Sequence, residues 1–494
     1  MPDSARLWPV SVAAPAAGLW RGRLGVSACV FLACLIGIYS RPIGYLSAFW
    51  PANAVLLGLL LRHPRWAASA GIWLCAMLAF VAADLATGAP WQKALGINAG
   101  NLAGVFAGWL YLSRLPEAVL YLRHQRSVLH LVAGSAVAAL GCGLVGGYAG
   151  SHFLGIPLLQ SVAMWTFSEF FNFILLIPVF LAAPKGWVGQ WRLQEVMPAL
   201  RGRPLSPSFA LPLAALVASE ALTLVIGGPG ALGFVMPALV WCAMAYGVLP
   251  TAVINLLLYG WKTASVALGT FSFTHTHLPD VISLRVGMAL LSVAPLAVAC
   301  AYALRLQALE KLDHAVNHDF LTGVLTRRAL LERGTKLLER MQGARAPLSL
   351  LMLDLDHFKR INDRHGHAQG DVVLQQLVQH VRQLLRPDDI LGRLGGEEFA
   401  VLLPRTSCEQ ARSIGERLCR QLGAHPVALG DGTQLTVTCS IGLHGSDRPQ
   451  PGETLSHWLS CADRALYQAK ASGRNQVQSY SDDLAPMSTM EAPE

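Results

Sequence analysis

The feature that most constrains this chain is the scarcity of charge in its first 304 residues. That stretch holds 16 Lys and Arg and 7 Asp and Glu, whereas the remaining 190 residues hold 22 and 23. A soluble domain of ordinary composition is about 25% charged. The second part fits that picture, and the first is far too apolar for it. The formal charge of +8 splits into +9 on the apolar part and −1 on the rest. A basic excess confined to an apolar segment reads as loop charge that sets membrane orientation, not as a nucleic-acid surface.

A bilayer-crossing helix needs about 20 mostly apolar residues. Such stretches lie near 24–40, 43–61, 66–86, 94–112, 128–149, 161–183, 209–227, 230–247, 248–269 and 281–304, giving eight to ten spans, with a re-entrant pair as the alternative around 247–250. The loops at 62–65, 113–127 and 184–208 carry Arg62, Arg65, Arg114, Arg123, Arg126, Lys185, Arg192, Arg201 and Arg203. The loops between them carry only Lys93, so positive and neutral loops alternate as the positive-inside rule requires. Arg21 and Arg23 place the N-terminal segment 1–23 in the cytoplasm, and an even number of spans returns Arg305 and Lys311 there. The run 24–40 lacks a small-residue cleavage site and is followed by more spans, so it is not read as a cleaved signal peptide. The ten cysteines are scattered without C-x-x-C spacing, which argues against a disulfide framework or a zinc site.

Polar groups lie within these spans: Asp84, Glu169, Glu220, Lys262, Asn53, Asn98, Asn101, Asn172 and Asn255. At bilayer depth such groups are functional candidates by default. The plainer reading is that they form hydrogen bonds between helices. We favour the plain reading for the asparagines and leave both open for Glu169 and Glu220. The outward segment Thr274-His275-Thr276-His277 could bind metal or sense pH, but reads more simply as a polar loop. Residues 305–317 place Leu309, Leu312 and Val316 at three-four spacing, which predicts an amphipathic helix continuing from the last span.

In the polar part, L-G-R-L-G-G-E-E-F-A-V-L-L-P at 391–404 reads as a β-hairpin whose tip presents Glu397 and Glu398. Gly395 and Gly396 supply the turn and allow close approach of a ligand to the backbone. The stretch 349–359 reads as a buried strand delivering Asp354 and Asp356 at its end. If the two strands are neighbours, carboxylates converge, and like charges raise one another's pKa unless a cation sits between them. Hard oxygen ligands of this kind suit magnesium, which binds through one or two carboxylates and substrate phosphates. Asp356 could equally be a solvated acid. His318, His357, His365 and His367 lack metal-ligand geometry, so no zinc site is read there.

Four blocks in order resemble the GGDEF family: H-D-F-L-T-G-V-L-T-R-R at 318–328, D-L-D-H-F-K-R-I-N-D-R-H-G-H-A-Q-G-D at 354–371, G-G-E-E-F at 395–399 and A-D-R-A-L-Y-Q-A-K-A-S-G-R-N at 462–475. The apolar part resembles the first type of membrane-associated sensor domain. That likeness rests on F-W-P-A-N-A-V-L-L-G-L-L-L at 49–61, N-A-G-N-L-A-G at 98–104 and W-T-F-S-E-F-F-N-F-I-L-L-I-P at 165–178. Together the resemblances imply a polytopic α-helical membrane domain over 24–304, a signalling helix over 305–317, an α/β GGDEF domain over 318–478 with a palm-like antiparallel sheet, and a disordered tail over 479–494. They imply a diguanylate cyclase in a bacterial inner membrane that condenses two GTP into cyclic di-GMP and two pyrophosphates.

By the same resemblance, Asp354, the carbonyl of Leu355 and Glu397 are the metal ligands, and Glu397 with Glu398 is the essential acid pair. Asn362 and Asp371 read guanine; Lys359, Lys470 and Arg474 contact phosphate; Gly395 and Gly396 line the substrate. Arg393 is a further phosphate candidate. Lys470 and Arg474 are four apart on a predicted helix, so both cations are expected on one face. The implied cofactor is Mg2+, about two per active dimer, with Mn2+ able to substitute. The implied partners are GTP, cyclic di-GMP, the lipid bilayer and a second copy of the chain, with no nucleic acid. Arg386-Pro387-Asp388-Asp389 has the family's R-x-x-D spacing for product inhibition, with Arg417 as its secondary arginine. One departure stands in the opening block, where Val324-Leu325-Thr326-Arg327 replaces the usual L-P-N-R. No glutamate-alanine-leucine phosphodiesterase module is read after 475. Two other functions stay open: a catalytically inactive receptor for cyclic di-GMP or GTP, and a membrane transporter with an attached regulatory domain.

Overall fold

The computed structural model describes residues 16–40, 49–184, 207–267, 278–429 and 432–481. The chain divides into two compact units, Met1–Gln307 and Ala308–Glu494.

The described part of the first unit is helical: α1 (Ala16–Tyr39), α2 (Ala52–Arg62), α3 (Ala70–Ala86), α4 (Trp91–Leu112), α5 (Ser127–Leu154), α6 (Leu158–Ala182), α7 (Pro207–Ile226), α8 (Met236–Tyr246), α9 (Val248–Ala267) and the start of α10 (Leu278–Asn317). Among the described residues, five helical segments are long and apolar enough to cross a bilayer: Gly22–Tyr39, Ser127–Leu154, Leu158–Ala182, Phe209–Ile226 and Asp280–Asn317. Three of the stretches read as spans hold shorter apolar helices, that over 66–86 being the 17-residue α3. Of the one over 43–61, residues 49–61 are described, and the helix there is the 11-residue α2. At 1.5 Å per residue such a helix falls well short of a hydrocarbon core about 30 Å thick. The one over 230–247 appears as a 3₁₀ turn followed by the short α8. Gly247, at φ +81°, ends α8 directly before α9 begins. The basic loop 185–206 and the Thr274–His277 segment lie outside the described residues.

Small residues set the helix contacts. A Cβ on Gly100 of α4 would lie 2.3 Å from the Cα of Gly146 on α5, and one on Gly104 would lie 2.0 Å from Cys142 Sγ. Glycine at these points lets two backbones approach and gain dispersion contact where no hydrophobic drive separates helix from lipid. Most of these polar groups bond within the bundle, and Asn53 Oδ1 and Asn255 Oδ1 have no donor among the described residues. Asn53 Nδ2 donates to Asn101 Oδ1 and to Glu169 Oε2, each at 2.9 Å. Asn101 donates to Asn98 Oδ1 at 2.8 Å, and Asn98 to Asp84 Oδ2 at 2.7 Å. Asn255 donates to the Ser292 carbonyl at 2.8 Å. Lys262 and Glu220 form an ion pair at 2.6 Å. Glu220 therefore has the cationic partner that a carboxylate in apolar surroundings requires.

The second unit is an α/β fold. After α10 come α11 (Arg327–Ala344), β1 (Leu348–Leu355), α12 (Phe358–His365), α13 (His367–Leu384), β2 (Ile390–Gly395), β3 (Glu398–Pro404), α14 (Cys408–Ala424), β4 (Val427–Ala428), β5 (Gln434–Leu435), β6 (Cys439–Ser446), α15 (Leu455–Ala471) and β7 (Val477–Ser479). The main sheet has the order β2-β3-β1-β6-β7, antiparallel except for the β6–β7 pair. Central β1 is buried along its whole length. Its alternate side chains enter different cores. Leu348, Leu350 and Met352 pack in one core with Leu330 and Trp458, from α11 and α15. Leu351, Leu353 and Leu355 pack in the other with Val373 and Leu418, from α13 and α14. This period of two explains why a continuous apolar run forms a strand covered on both faces. It also fixes the register that aims Asp354 toward the α15 side.

Candidate active site

The acidic corner forms where three pieces of backbone meet. β1 ends in Asp354-Leu355, and the antiparallel ladder sets Glu398, the first residue of β3, directly opposite Asp354. Cross-strand partners point to the same face, so these two carboxylates are neighbours. Glu397 follows Gly396, whose φ of +48° forms the tight turn between β2 and β3. Lys470, in the last turn of α15, brings Nζ to 2.8 Å from Asp354 Oδ2; the Asp354 side chain is only 6% exposed. Burial pushes the Asp354 carboxyl up to about 6; Lys470 pulls it down, while Glu397 and Glu398 push it further up. One ammonium among three carboxylates leaves the corner with excess negative charge.

That excess is what a divalent cation would relieve. Among the described residues, no three His, Cys, Asp or Glu side chains are grouped closely enough to hold an ion by themselves. The donor set implied from sequence is smaller: Asp354, Glu397 and the carbonyl of Leu355, the last residue of β1. Few protein ligands with other positions left to water and phosphate is the pattern of magnesium, which dehydrates reluctantly. The residues therefore fit the ion.

Two acids and bases that the sequence left open are occupied elsewhere. Asp356 Oδ1 accepts from Ser440 Oγ at 2.7 Å, and Oδ2 accepts from Thr438 Oγ1 at 2.7 Å and from the Asn475 backbone N–H at 3.1 Å. It anchors the turn after α15 to β1, and its lone pairs are spent on that task. Arg393, a phosphate candidate on sequence, instead donates from Nε to the Gly396 carbonyl at 2.9 Å and forms an ion pair with Asp319 at 3.1 Å. It holds the hairpin tip from behind. Arg474 is also corrected: α15 ends at Ala471, and Arg474 lies in a left-handed turn at φ +61°. Lys470 and Arg474 do not share a helix face.

Asn362 on α12 lies against α13. A Cβ on Gly370 would come within 1.9 Å of Asn362 Oδ1, so only glycine leaves room for that amide. Asn362 Oδ1 is buried and accepts no hydrogen bond among the described residues. A buried acceptor without a donor is costly, which marks this oxygen as one that a ligand can satisfy. Asp371 follows Gly370 immediately and is exposed, as are Lys359 on α12 and Arg474.

Residues 316–476 match the family described as diguanylate cyclase, GGDEF domain. This segment is a GGDEF domain. Over 470 residues it is 27% identical to the probable diguanylate cyclase DgcF of Escherichia coli O157:H7, spanning 93% of this chain and 94% of that protein. Over 160 residues it is 42% identical to the diguanylate cyclase DgcP of Pseudomonas aeruginosa, spanning 32% of this chain and 23% of that protein. Among solved structures it is similar to the active GGEEF domain of a diguanylate cyclase from Vibrio cholerae, at 30% identity over 32% of this chain and 98% of that one, with a TM-score of 0.30.

Within this GGDEF domain the opening block closes on itself before joining the sheet edge. The Asp319 carboxylate accepts from the Thr322 N–H and hydroxyl at 2.9 and 2.6 Å, and Leu325 exchanges backbone hydrogen bonds with Leu391 and Arg393 of β2 at 3.1 and 2.8 Å. The departure at 324–327 is absorbed locally, because Thr326 is the N-cap of α11 and accepts from the Ala329 N–H. Thr takes over the capping role open to Asn, since either side-chain oxygen can satisfy a free N–H at the helix start. The R-x-x-D segment is a turn between α13 and β2. In it Asp389 Oδ2 accepts from the Arg386 N–H at 2.7 Å, and the Arg386 side chain is exposed. Arg417 is exposed on α14. The tail 482–494 lies outside the described residues.

Proposed function

We propose that this chain is a membrane-bound diguanylate cyclase that condenses two GTP into cyclic di-GMP under control of its membrane unit. The single observation that carries this is the Asp354 carboxylate, set opposite Glu398 across the sheet and held by Lys470, in a domain that also leaves the Asn362 amide oxygen without a donor among the described residues. The first suits a metal-bound triphosphate, and the second suits a base edge. Asn362 and Asp371 hold guanine through an amide and a carboxylate, the pair of groups able to meet its donors and acceptors. Lys359, Lys470 and Arg474 meet the phosphates, and Gly395 and Gly396 let the nucleotide lie against the hairpin backbone. Asp354, Glu397 and the Leu355 carbonyl hold Mg2+, or Mn2+ in its place. The ion supplies charge neutralisation and lowers the pKa of the attacking hydroxyl.

The reaction joins the 3′-oxygen of each GTP to the α-phosphorus of the other. Each new P–O bond displaces pyrophosphate, and each hydroxyl proton passes to the acid pair or to water. One domain holds one GTP, so catalysis requires two copies face to face. Leu309, Leu312 and Val316 at the end of α10 support this, because they are 50%, 60% and 46% exposed at the spacing a paired helix would cover. We further propose that the apolar unit is a sensor of the first membrane-associated type in a bacterial inner membrane, with the N-terminus and the catalytic unit in the cytoplasm. Arg386, Asp389 and Arg417 are proposed to bind product and hold an unproductive arrangement.

Purified full-length protein in lipid nanodiscs, given GTP and magnesium, should release pyrophosphate and form cyclic di-GMP, identified by mass spectrometry. Tight GTP binding without turnover would replace the cyclase reading with a receptor.

A further inference from the structure

The membrane unit contains a cavity of about 490 Å³ that the cyclase reaction does not use. Its volume lies in the range that holds a small metabolite. Its wall carries both signs of charge: Asp84 and Glu169 on one count, Lys93 and Arg285 on the other, with the indoles of Trp50 and Trp165 also lining it. Three of the four charged side chains are deeply buried, at 8% for Asp84, 4% for Glu169 and 7% for Arg285. They are held in place by neighbours. Glu169 accepts from Asn53, Asp84 accepts from Asn98, and Arg285 donates to Ser168 Oγ at 2.6 Å.

Such an arrangement is expensive in an apolar bundle, where charged side chains mark ligand or ion pathways. An apolar occupant would set hydrocarbon against a wall rich in charged and hydrogen-bonding groups. Among the described residues, an ion of one sign would meet as many repelling groups as attracting ones. A molecule carrying an ammonium and a carboxylate complements both pairs, and a short aliphatic body fits between indoles. The cavity is also lined by Thr87 to Pro90 and Leu154, at the ends of α3 and α5. These belong to the neutral loops, which the charge alternation assigns to the side away from the cytoplasm.

We propose that this cavity is a binding site for a small zwitterion of the amino-acid class, entering from the extracytoplasmic side. Asp84 and Glu169 receive the ammonium, and Lys93 and Arg285 the carboxylate.

The test is calorimetric titration of the full chain in nanodiscs, without GTP, using each standard amino acid beside its decarboxylated amine and its deaminated acid. At least one amino acid should bind saturably, with both single-charge counterparts at least tenfold weaker. Tryptophan fluorescence should change with the same midpoint. Lys93→Gln, at the less buried wall position, should weaken binding at least tenfold, and Glu169→Gln should do so if it folds. Absence of binding by all the amino acids would overturn the proposal, as would equal affinity for an amine or an acid alone, or wild-type affinity in Lys93→Gln. The readout needs no turnover, so a chain lacking cyclase activity could still support the site.

Discussion

The two units place their acids in different company. In the helical unit, Asn53, Asn98, Asn101, Asp84 and Glu169 form a chain in which each amide donates to the next acceptor. In the GGDEF domain, Asp354 feels both Glu397 and Glu398 and pairs with one lysine, and Asn362 Oδ1 has no donor among the described residues. A water-free interior penalises each unmet polar group, so the helical unit gives each of these acids an amide donor, although Asn53 Oδ1 itself has no donor among the described residues. A catalytic corner can stay open because the sheet around it sustains the strain: β1 is buried throughout and paired on both sides.

The comparison breaks first at the acids. Glu397→Gln and Glu398→Gln, made singly, should each lower GTP turnover by about a thousandfold or more, within the span of acid–base and metal effects. Thermal unfolding should be unchanged. Turnover within tenfold of wild type in either variant would remove that residue from the reaction. Next come the close approaches, which differ between units in kind but not in size. Gly104→Val drives a side chain into Cys142 of α5, and Gly442→Val drives one into the α15 backbone, where a Cβ would lie 2.0 Å from the Ala462 carbonyl. Each should cost about 3 kcal/mol, the upper part of the overpacking range. Denaturation followed separately for each unit should show the loss only in the unit mutated; a loss shared by both would mean they do not unfold separately.

A smaller effect is expected behind the hairpin. Arg393→Ala frees the Gly396 carbonyl and Asp319 together, and kcat should fall about tenfold with the KM for GTP little changed, because the residue positions the turn without meeting substrate. Arg393→Lys should recover part of the loss. A rise in KM alone would return Arg393 to the phosphate contacts. The smallest effect concerns pH. Burial works to raise the Asp319 carboxyl, but the Thr322 hydroxyl and N–H and the Arg393 guanidinium outweigh it and hold it below 3.8. A depressed carboxyl contributes stability above its unfolded value, and that contribution is lost as pH falls through the folded value. Asp319→Asn should therefore flatten the fall in stability of this domain below 3.8. Identical acid denaturation curves for wild type and variant would show that the pair contributes nothing.

Much of this was legible from residue order. The charge asymmetry separates an apolar helical part from an α/β part because burial in lipid and burial in a water-surrounded core demand different compositions. The apolar run within 349–355 and the glycine pair at 395–396 mark a strand and a hairpin because local backbone geometry dictates both. Gly370 and Gly442 stood in plain view, but what makes them necessary is a neighbour elsewhere in the fold.

The chain's order thus determined which segments are helix or strand, which part seeks the bilayer and which acids can meet. Tertiary structure alone decided what each polar group does. Asp356 is committed to Ser440, 84 residues away, and Arg393 to Asp319, 74 residues away. Arg285 gained a place in the cavity wall from a helix where sequence periodicity marked no site. Secondary structure follows from interactions within a few residues, whereas the fate of a side chain depends on which distant group the fold sets within about 3 Å of it.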